Sequence, residues 1–202
     1  MIEKPSDLPT RFDTEHLVLR CYQPDDGPMY FTVGQKNREH LQRYESENFI
    51  LTLQDEAQAE AAVRELASDW AIGLGFFMGA FDKVTGEFVA QVFVGYHDRD
   101  LPELQVGYFV DVEHEGQGYV TEAVKAALGF IFEHLHAHRV RLMCDDTNVR
   151  SYRVAERCGF VREGHLRQNH RHPDGTFTGT LIYGMLRSEY EQQKPGRAAS
   201  TV

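Results

Sequence analysis

Val110-Asp111-Val112-Glu113-His114-Glu115-Gly116-Gln117-Gly118-Tyr119-Val120-Thr121-Glu122-Ala123 ends a strand, turns on two glycines and enters a helix at once. Glycine lets a backbone approach a ligand closely, because no Cβ intervenes. The first helical turn leaves amide N–H groups unpaired, and the macrodipole adds partial positive charge there. Such a turn can bind a pyrophosphate without a basic side chain. Thr121 stands where a dinucleotide-binding turn carries its third glycine, and the Gly-Lys-Ser/Thr of a nucleoside triphosphate loop is missing. A nucleotide-dependent oxidoreductase is therefore a distant reading.

The helix that follows has a continuous apolar stripe: Val120, Ala123, Val124, Ala127, Leu128, Ile131, Phe132 and Leu135 recur at helical spacing. Before the turn, alternation predicts strands over His16–Tyr22, Phe76–Phe81, Glu87–Tyr96 and Glu103–Val112. The middle two form a hairpin about Asp82–Gly86. A short helix is expected from Pro24-Asp25-Asp26 and a longer one over Gln54–Ile72. After the long helix come a strand at Arg139–Cys144, a helix at Val149–Cys158 and two strands flanking Pro173-Asp174-Gly175. A meander feeding one strong crossover helix predicts an α+β fold, with a mixed sheet and helices packed on it.

A chain of 202 residues, 42% hydrophobic and 26% charged, suits one globular domain, expected over residues 1–191. Residues 192–202 hold Lys194-Pro195-Gly196 and small polar residues, and read as a disordered tail. No apolar run is long enough for a bilayer and no secretory signal is readable, so neither membrane nor export is expected. Three widely spaced cysteines, Cys21, Cys144 and Cys158, fit free thiols in a reducing compartment, and a cytoplasmic location is expected. The formal charge of −10 opposes nucleic-acid binding and favours cationic partners.

A second motif lies at Asn148-Val149-Arg150-Ser151-Tyr152-Arg153-Val154-Ala155-Glu156-Arg157-Cys158-Gly159-Phe160. Asn148 follows a strand and suits an N-cap, Ser151 lies one turn on, and Gly159 suits a C-cap. Together with Gly116, Gly118 and Thr121-Glu122-Ala123, this segment resembles the GNAT acyltransferase superfamily, and within it the RimJ/RimL-type N-acetyltransferases. Thr14-Glu15-His16-Leu17-Val18-Leu19-Arg20, Gly107-Tyr108 and Tyr183-Gly184-Met185-Leu186 match further family features. The resemblance runs from about Thr14 to Tyr190.

The resemblance implies a mostly antiparallel, twisted sheet whose central strands, Glu103–Val112 and Arg139–Cys144, splay apart around acetyl-CoA. It implies transfer of the acetyl group to a primary amine, on a protein N-terminus or a small cationic molecule, by direct attack. Pantetheine would pair with backbone near Val110 and Val112. The pyrophosphate would take amides from Glu115, Gly116, Gln117, Gly118, Tyr119 and Val120, while Asn148 would reach the pantetheine. Ser151 would serve as the acid for the leaving thiolate and as a cofactor contact. No metal is implied, and monomer and homodimer both remain open.

The sequence departs from the family pattern in three places. Gln105 stands where many members carry a basic Glu; Glu103, two residues earlier on the same strand face, is the expected substitute. Ala155 replaces a Tyr acid found in other branches, and Glu113 replaces the usual Gln or Arg at the head of the turn. These departures leave a non-catalytic CoA-binding protein as the alternative. Glu45 and Glu47 join Glu103 as carboxylates expected to attract the amine. His134 and His138 share a helix face at metal-ligand spacing, but a helix C-terminus suits histidine without any metal.

Overall fold

The computed structural model describes residues 8–172 and 174–194. Eight strands form one sheet: β1 (Arg11–Asp13), β2 (Leu17–Cys21), β3 (Gly75–Asp82), β4 (Phe88–Asp98), β5 (Glu103–Val110), β6 (Arg139–Asp145), β7 (Val161–Arg171) and β8 (Phe177–Leu186). Their order is β1-β2-β3-β4-β5-β6-β8-β7. Only β5 and β6 run parallel; the other neighbours are antiparallel. Six helices accompany it: α1 (Gly27–Lys36), α2 (Arg38–Tyr44), α3 (Glu56–Ile72), α4 (Tyr119–Gly129), α5 (Val149–Arg157) and α6 (Arg187–Gln193). This is the expected α+β architecture. β1, α2 and the 3-10 turn at Phe49–Thr52 add to what the pattern predicts.

Alternation along the strands divides the core in two. Phe76, Met78, Val92, Val94, Leu104 and Val106 face the stripe of α4 and bury against Ala123, Val124, Ala127 and Leu128. Phe81, Phe88 and Phe109 face the other way and pack with Tyr30, Val33, Val63 and Leu66 of α1 and α3. Gln91 is buried on that second side, where its Oε1 accepts from the hydroxyls of Tyr22 (2.8 Å) and Tyr30 (3.0 Å).

The long helix is not uniform. It runs α-helical through Gly129 and widens to a π turn over Phe130–His134, where the Leu135 amide donates to the Phe130 carbonyl. There Phe130 stacks on Trp70 and meets Phe12 and Phe76 edge-on. At its other end α4 is tied to the first hairpin. Glu122 accepts from the Thr14 hydroxyl at 2.5 Å and the His16 amide at 2.8 Å. Two motifs more than a hundred residues apart thus form one contact. Gln192 and Gln193, within the expected tail, are the last residues of α6; residues 195–202, the rest of that tail after Lys194, and Pro173 lie outside the described residues.

Candidate active site

β5 and β6 pair only over Glu103–Gln105 and Arg139–Arg141, and then part. Glu103 ties the closed end: its carboxylate lies 3.1 Å from Arg139 Nε. Beyond this point the inner edges of both strands lack ladder partners from each other. The gap opens into a cleft of about 980 Å³, bounded by β5, the glycine turn, α5 and the segment after α2.

The end of the cleft beside the glycine turn is built around Asp111, which is 1% exposed. It accepts from the Asn37 side chain at 3.0 Å and the Glu113 amide at 3.0 Å, and pairs with Lys36 at 2.8 Å. Burial pushes the Asp111 carboxyl up, but Lys36 and these donors outweigh it and hold it below its ordinary range. The anchored loop leads into Gly116 (φ 75°) and Gly118 (φ 88°), left-handed positions where a Cβ would meet no protein atom within 4 Å. Gly118 caps α4 without a side-chain bond, so no capping side chain takes up the amides of the first turn, and Gly118, Tyr119 and Val120 line the cleft. The buried Thr121 hydroxyl lines the same turn and has no hydrogen-bond partner in the protein. Open space above two glycines, unpaired amides and an orphaned hydroxyl fit a pyrophosphate.

Glu113 turns away from this end: its side chain is 70% exposed and pairs with Lys36. Glu115 lines the cleft at this end. Its side chain is 21% exposed, pairs with Arg150 and lies 3.4 Å from His40. Among the expected cofactor residues, Val110, Glu115, Gly116, Gly118, Tyr119, Val120, Asn148 and Ser151 line the cleft. Val112 and Gln117 do not. The Val112 amide is spent on Asn37 Oδ1 at 2.8 Å, in a 3-10 turn, and Gln117 reaches back to the Glu113 carbonyl.

At the opposite wall Asn148 caps α5, its Oδ1 accepting from the Ser151 amide at 3.1 Å. The Tyr108 hydroxyl donates to the Ser151 carbonyl at 2.9 Å and lies 3.1 Å from Ser151 Oγ. Burial raises Tyr108 well above its ordinary range, so it stays protonated. Cys144 also lines the cleft, its thiol pushed up to about 11 by burial. Tyr108 was legible as part of Gly107-Tyr108 and by its place in phase with Leu104 and Val106, yet its partnership with Ser151 needs the third dimension.

Glu103 and Glu45 lie in different surroundings. Glu103 is held by Arg139, with His97 4.0 Å away, and does not line the cleft. The expected base is therefore in the seam of the sheet, where parallel pairing places Arg139 beside it. Glu45 and Glu47 do line the cleft, in the segment that closes α2. Glu45 Oε2 accepts from Asn48 Nδ2 at 2.8 Å; burial pushes its carboxyl up, Asn48 pulling the other way. Among the described residues no group of three or more His, Cys, Asp or Glu gathers to hold a metal, and the His134 ring lies beside those of Phe12 and Phe130. Nor is any helix among them long and apolar enough to cross a membrane.

Comparison with known proteins gives the family and the fold. The profile of the acetyltransferase (GNAT) domain matches residues 16–161. YdaF of Bacillus subtilis (strain 168), provisionally named a ribosomal N-acetyltransferase, is 24% identical over 182 residues, 89% of this chain and 96% of its own. The solved ribosomal-protein-S5-alanine acetyltransferase from Vibrio fischeri superposes with a TM-score of 0.77 at 22% identity, covering 92% of this chain and 99% of that one. A ribosomal L7/L12 alpha-N-protein acetyltransferase, solved with coenzyme A disulfide-bonded to one of its cysteines, gives 0.76 at 18% identity, covering 89% and 97%. Both structures share the fold.

Proposed function

We propose a division of labour in the cleft, from the premise that the chain belongs to the GNAT acetyltransferase family. It is an acetyl-CoA-dependent N-acetyltransferase. In our reading, the first turn of α4 takes the pyrophosphate through the amides around Gly116 and Gly118, with Thr121 adding a hydroxyl. Pantetheine runs down the gap between β5 and β6 past Val110, and Asn148 reaches it through the amide nitrogen that capping leaves over. Ser151, set by Tyr108, gives the proton or hydrogen bond that the departing thiolate requires. Glu103 acts by position, holding the two strands together where the gap begins.

The acceptor is a cationic primary amine drawn in past Glu45 and Glu47, and the relatives' names favour the N-terminal amine of a polypeptide. Three unpaired, buried cysteines suit work in the cytoplasm. One observation carries this reading: the sheet parts between β5 and β6 beside a glycine turn that opens a helix. A thiol-release assay with acetyl-CoA, run against N-terminal peptides and small amines, tests it. The Michaelis constant of the best amine should rise with salt, since exposed charges are screened over about 10 Å at 0.1 M. An anionic best acceptor with salt-insensitive kinetics would contradict the acceptor assignment.

A further inference from the structure

On the sheet face turned away from α4, register aligns Gly75, Gly95 and Gln105 in one row across β3, β4 and β5. It aligns Phe77, Phe93 and Gly107 in the next. The glycines make room for the rings. A Cβ at Gly95 would stand 2.5 Å from Phe93 Cζ, and one at Gly75 would touch both Phe93 (3.6 Å) and Phe77 (3.9 Å). Phe93 therefore lies over the glycine row, with its centroid 4.5 Å from that of Phe77. Phe49, just past α2, meets Phe77 edge-on at 5.9 Å.

Other aromatics on this face, Phe81, Phe88 and Phe109, are buried in the core. Phe49, Phe77 and Phe93 are only half-buried, and all three line the cleft. An aromatic floor has no task toward phosphates, which sit at the glycine turn. Glu45 lines the same cleft and is linked to this floor through Asn48, the residue before Phe49. Its charge bears on Tyr108, the partner of Ser151. One arm of the cleft thus combines a carboxylate with an apolar, aromatic surface.

We propose that this arm is the acceptor subsite, where Glu45 takes a proton from the incoming ammonium and Phe49, Phe77 and Phe93 receive an apolar group carried next to the amine. The inference rests on the acetyltransferase reading of the cleft. The ammonium gives one proton to Glu45, and the freed lone pair attacks the thioester carbonyl carbon. The C–N bond forms and the C–S bond breaks; the nitrogen's second proton is passed to Ser151 as the serine gives its own to the thiolate. Amide and thiol leave, and Glu45 releases its proton to solvent. The substrate class is a primary amine flanked by an apolar group, such as a polypeptide N-terminus with an apolar first residue. A polyamine, which is charged along its length, fits this floor poorly.

The test pairs amines that differ only in that group: amides of phenylalanine, leucine, glycine and serine, together with spermidine, each assayed by thiol release with acetyl-CoA. Wild type should favour the apolar amides by about tenfold or more in kcat/KM. Phe93→Ala should erase that preference through KM, with Phe93→Leu retaining part of it. Glu45→Gln should lower kcat by about a hundredfold for every amine. Calorimetry with acetyl-CoA should give wild-type affinity in all variants; absent binding in wild type would overturn the donor site itself, a separate failure. The subsite proposal falls if glycinamide or spermidine is preferred, if none of the amines is turned over, or if Phe93→Ala keeps the apolar preference. It also falls if Glu45→Gln retains full turnover.

Discussion

The hydroxyl of Tyr108 donates to the Ser151 carbonyl, and Ser151 Oγ lies 3.1 Å from Tyr108 Oη. With Tyr108's own proton on that carbonyl, Ser151 is left as the donor between the two hydroxyls. In the free cleft the serine proton is thereby held on Tyr108 Oη, and it must turn from there to meet a thiolate. Ser151→Ala should lower turnover by about a hundredfold while leaving the dissociation constant of acetyl-CoA nearly unchanged. Tyr108→Phe should lower it less, because the serine keeps its proton and loses only its orientation. Steady-state kinetics and calorimetry on both variants check this ordering.

Glu115 places a carboxylate at the glycine-turn end of the cleft, paired with Arg150 and 3.4 Å from His40. Glu115→Gln should remove a repulsion and free Arg150 to meet the phosphates. We expect acetyl-CoA to bind several-fold more tightly; a pair of unit charges 4 Å apart is worth about 4 kcal/mol at an effective dielectric of 20, before solvent screening. The gain should shrink as salt is raised. Calorimetry at two ionic strengths measures it.

Glu103 and Arg139 hold β5 and β6 together at the point where they begin to part. Glu103→Gln should destabilise the fold by about 1 kcal/mol, since it removes one ion pair while Arg139 keeps its hydrogen bond to Glu163. The pH dependence of turnover should stay where it is if the carboxylate only holds the strands, since it is paired with Arg139 outside the cleft lining. Chemical denaturation and a pH–rate profile separate this structural role from a base.

Stability should fall in acid. Asp111 and Glu122 are both pushed up by burial and pulled further down by their partners, Lys36 and Asn37 for one, Thr14 and His16 for the other. A carboxyl held below its unfolded value binds its proton later than the unfolded chain does. Its contribution is present above the unfolded pKa, about 4, and is lost as pH falls through the folded one. Melting temperature should therefore drop below about pH 4, and Asp111→Asn should flatten that drop while lowering stability at neutral pH.

Much of this was legible in the one-dimensional pattern, for identifiable reasons. The stripe from Val120 to Leu135 locates the crossover helix because one face of it must be apolar, and Gly116 and Gly118 mark the turn because both adopt positive φ. The π turn was hidden, since Phe130, Ile131 and Phe132 are apolar in either winding. α2 was hidden because Arg38–Tyr44 is short and polar, with Leu41 alone fully buried. Glu103 looked available because its partner Arg139 comes from a strand 36 positions later, and parallel pairing across a crossover leaves no local mark. The aromatic floor was equally invisible: Gly75, Gly95 and Gly107 gain meaning only once register lays them beside Phe77 and Phe93.

The most direct test of the account is a thermal melt with and without acetyl-CoA, on wild type and on Gly118→Val. Gly118 sits at φ 88°, and the space beside it is open to the cleft. A valine there would occupy the pyrophosphate's place and strain the turn, so its ligand-free melt is run beside the wild type's to separate the two effects. The account predicts that wild type gains about 2.7 kcal/mol at a hundred times the dissociation constant, seen as a clear rise in melting temperature, and that Gly118→Val gains nothing. A wild-type melt unmoved by acetyl-CoA, or an equal shift in the folded variant, would contradict it.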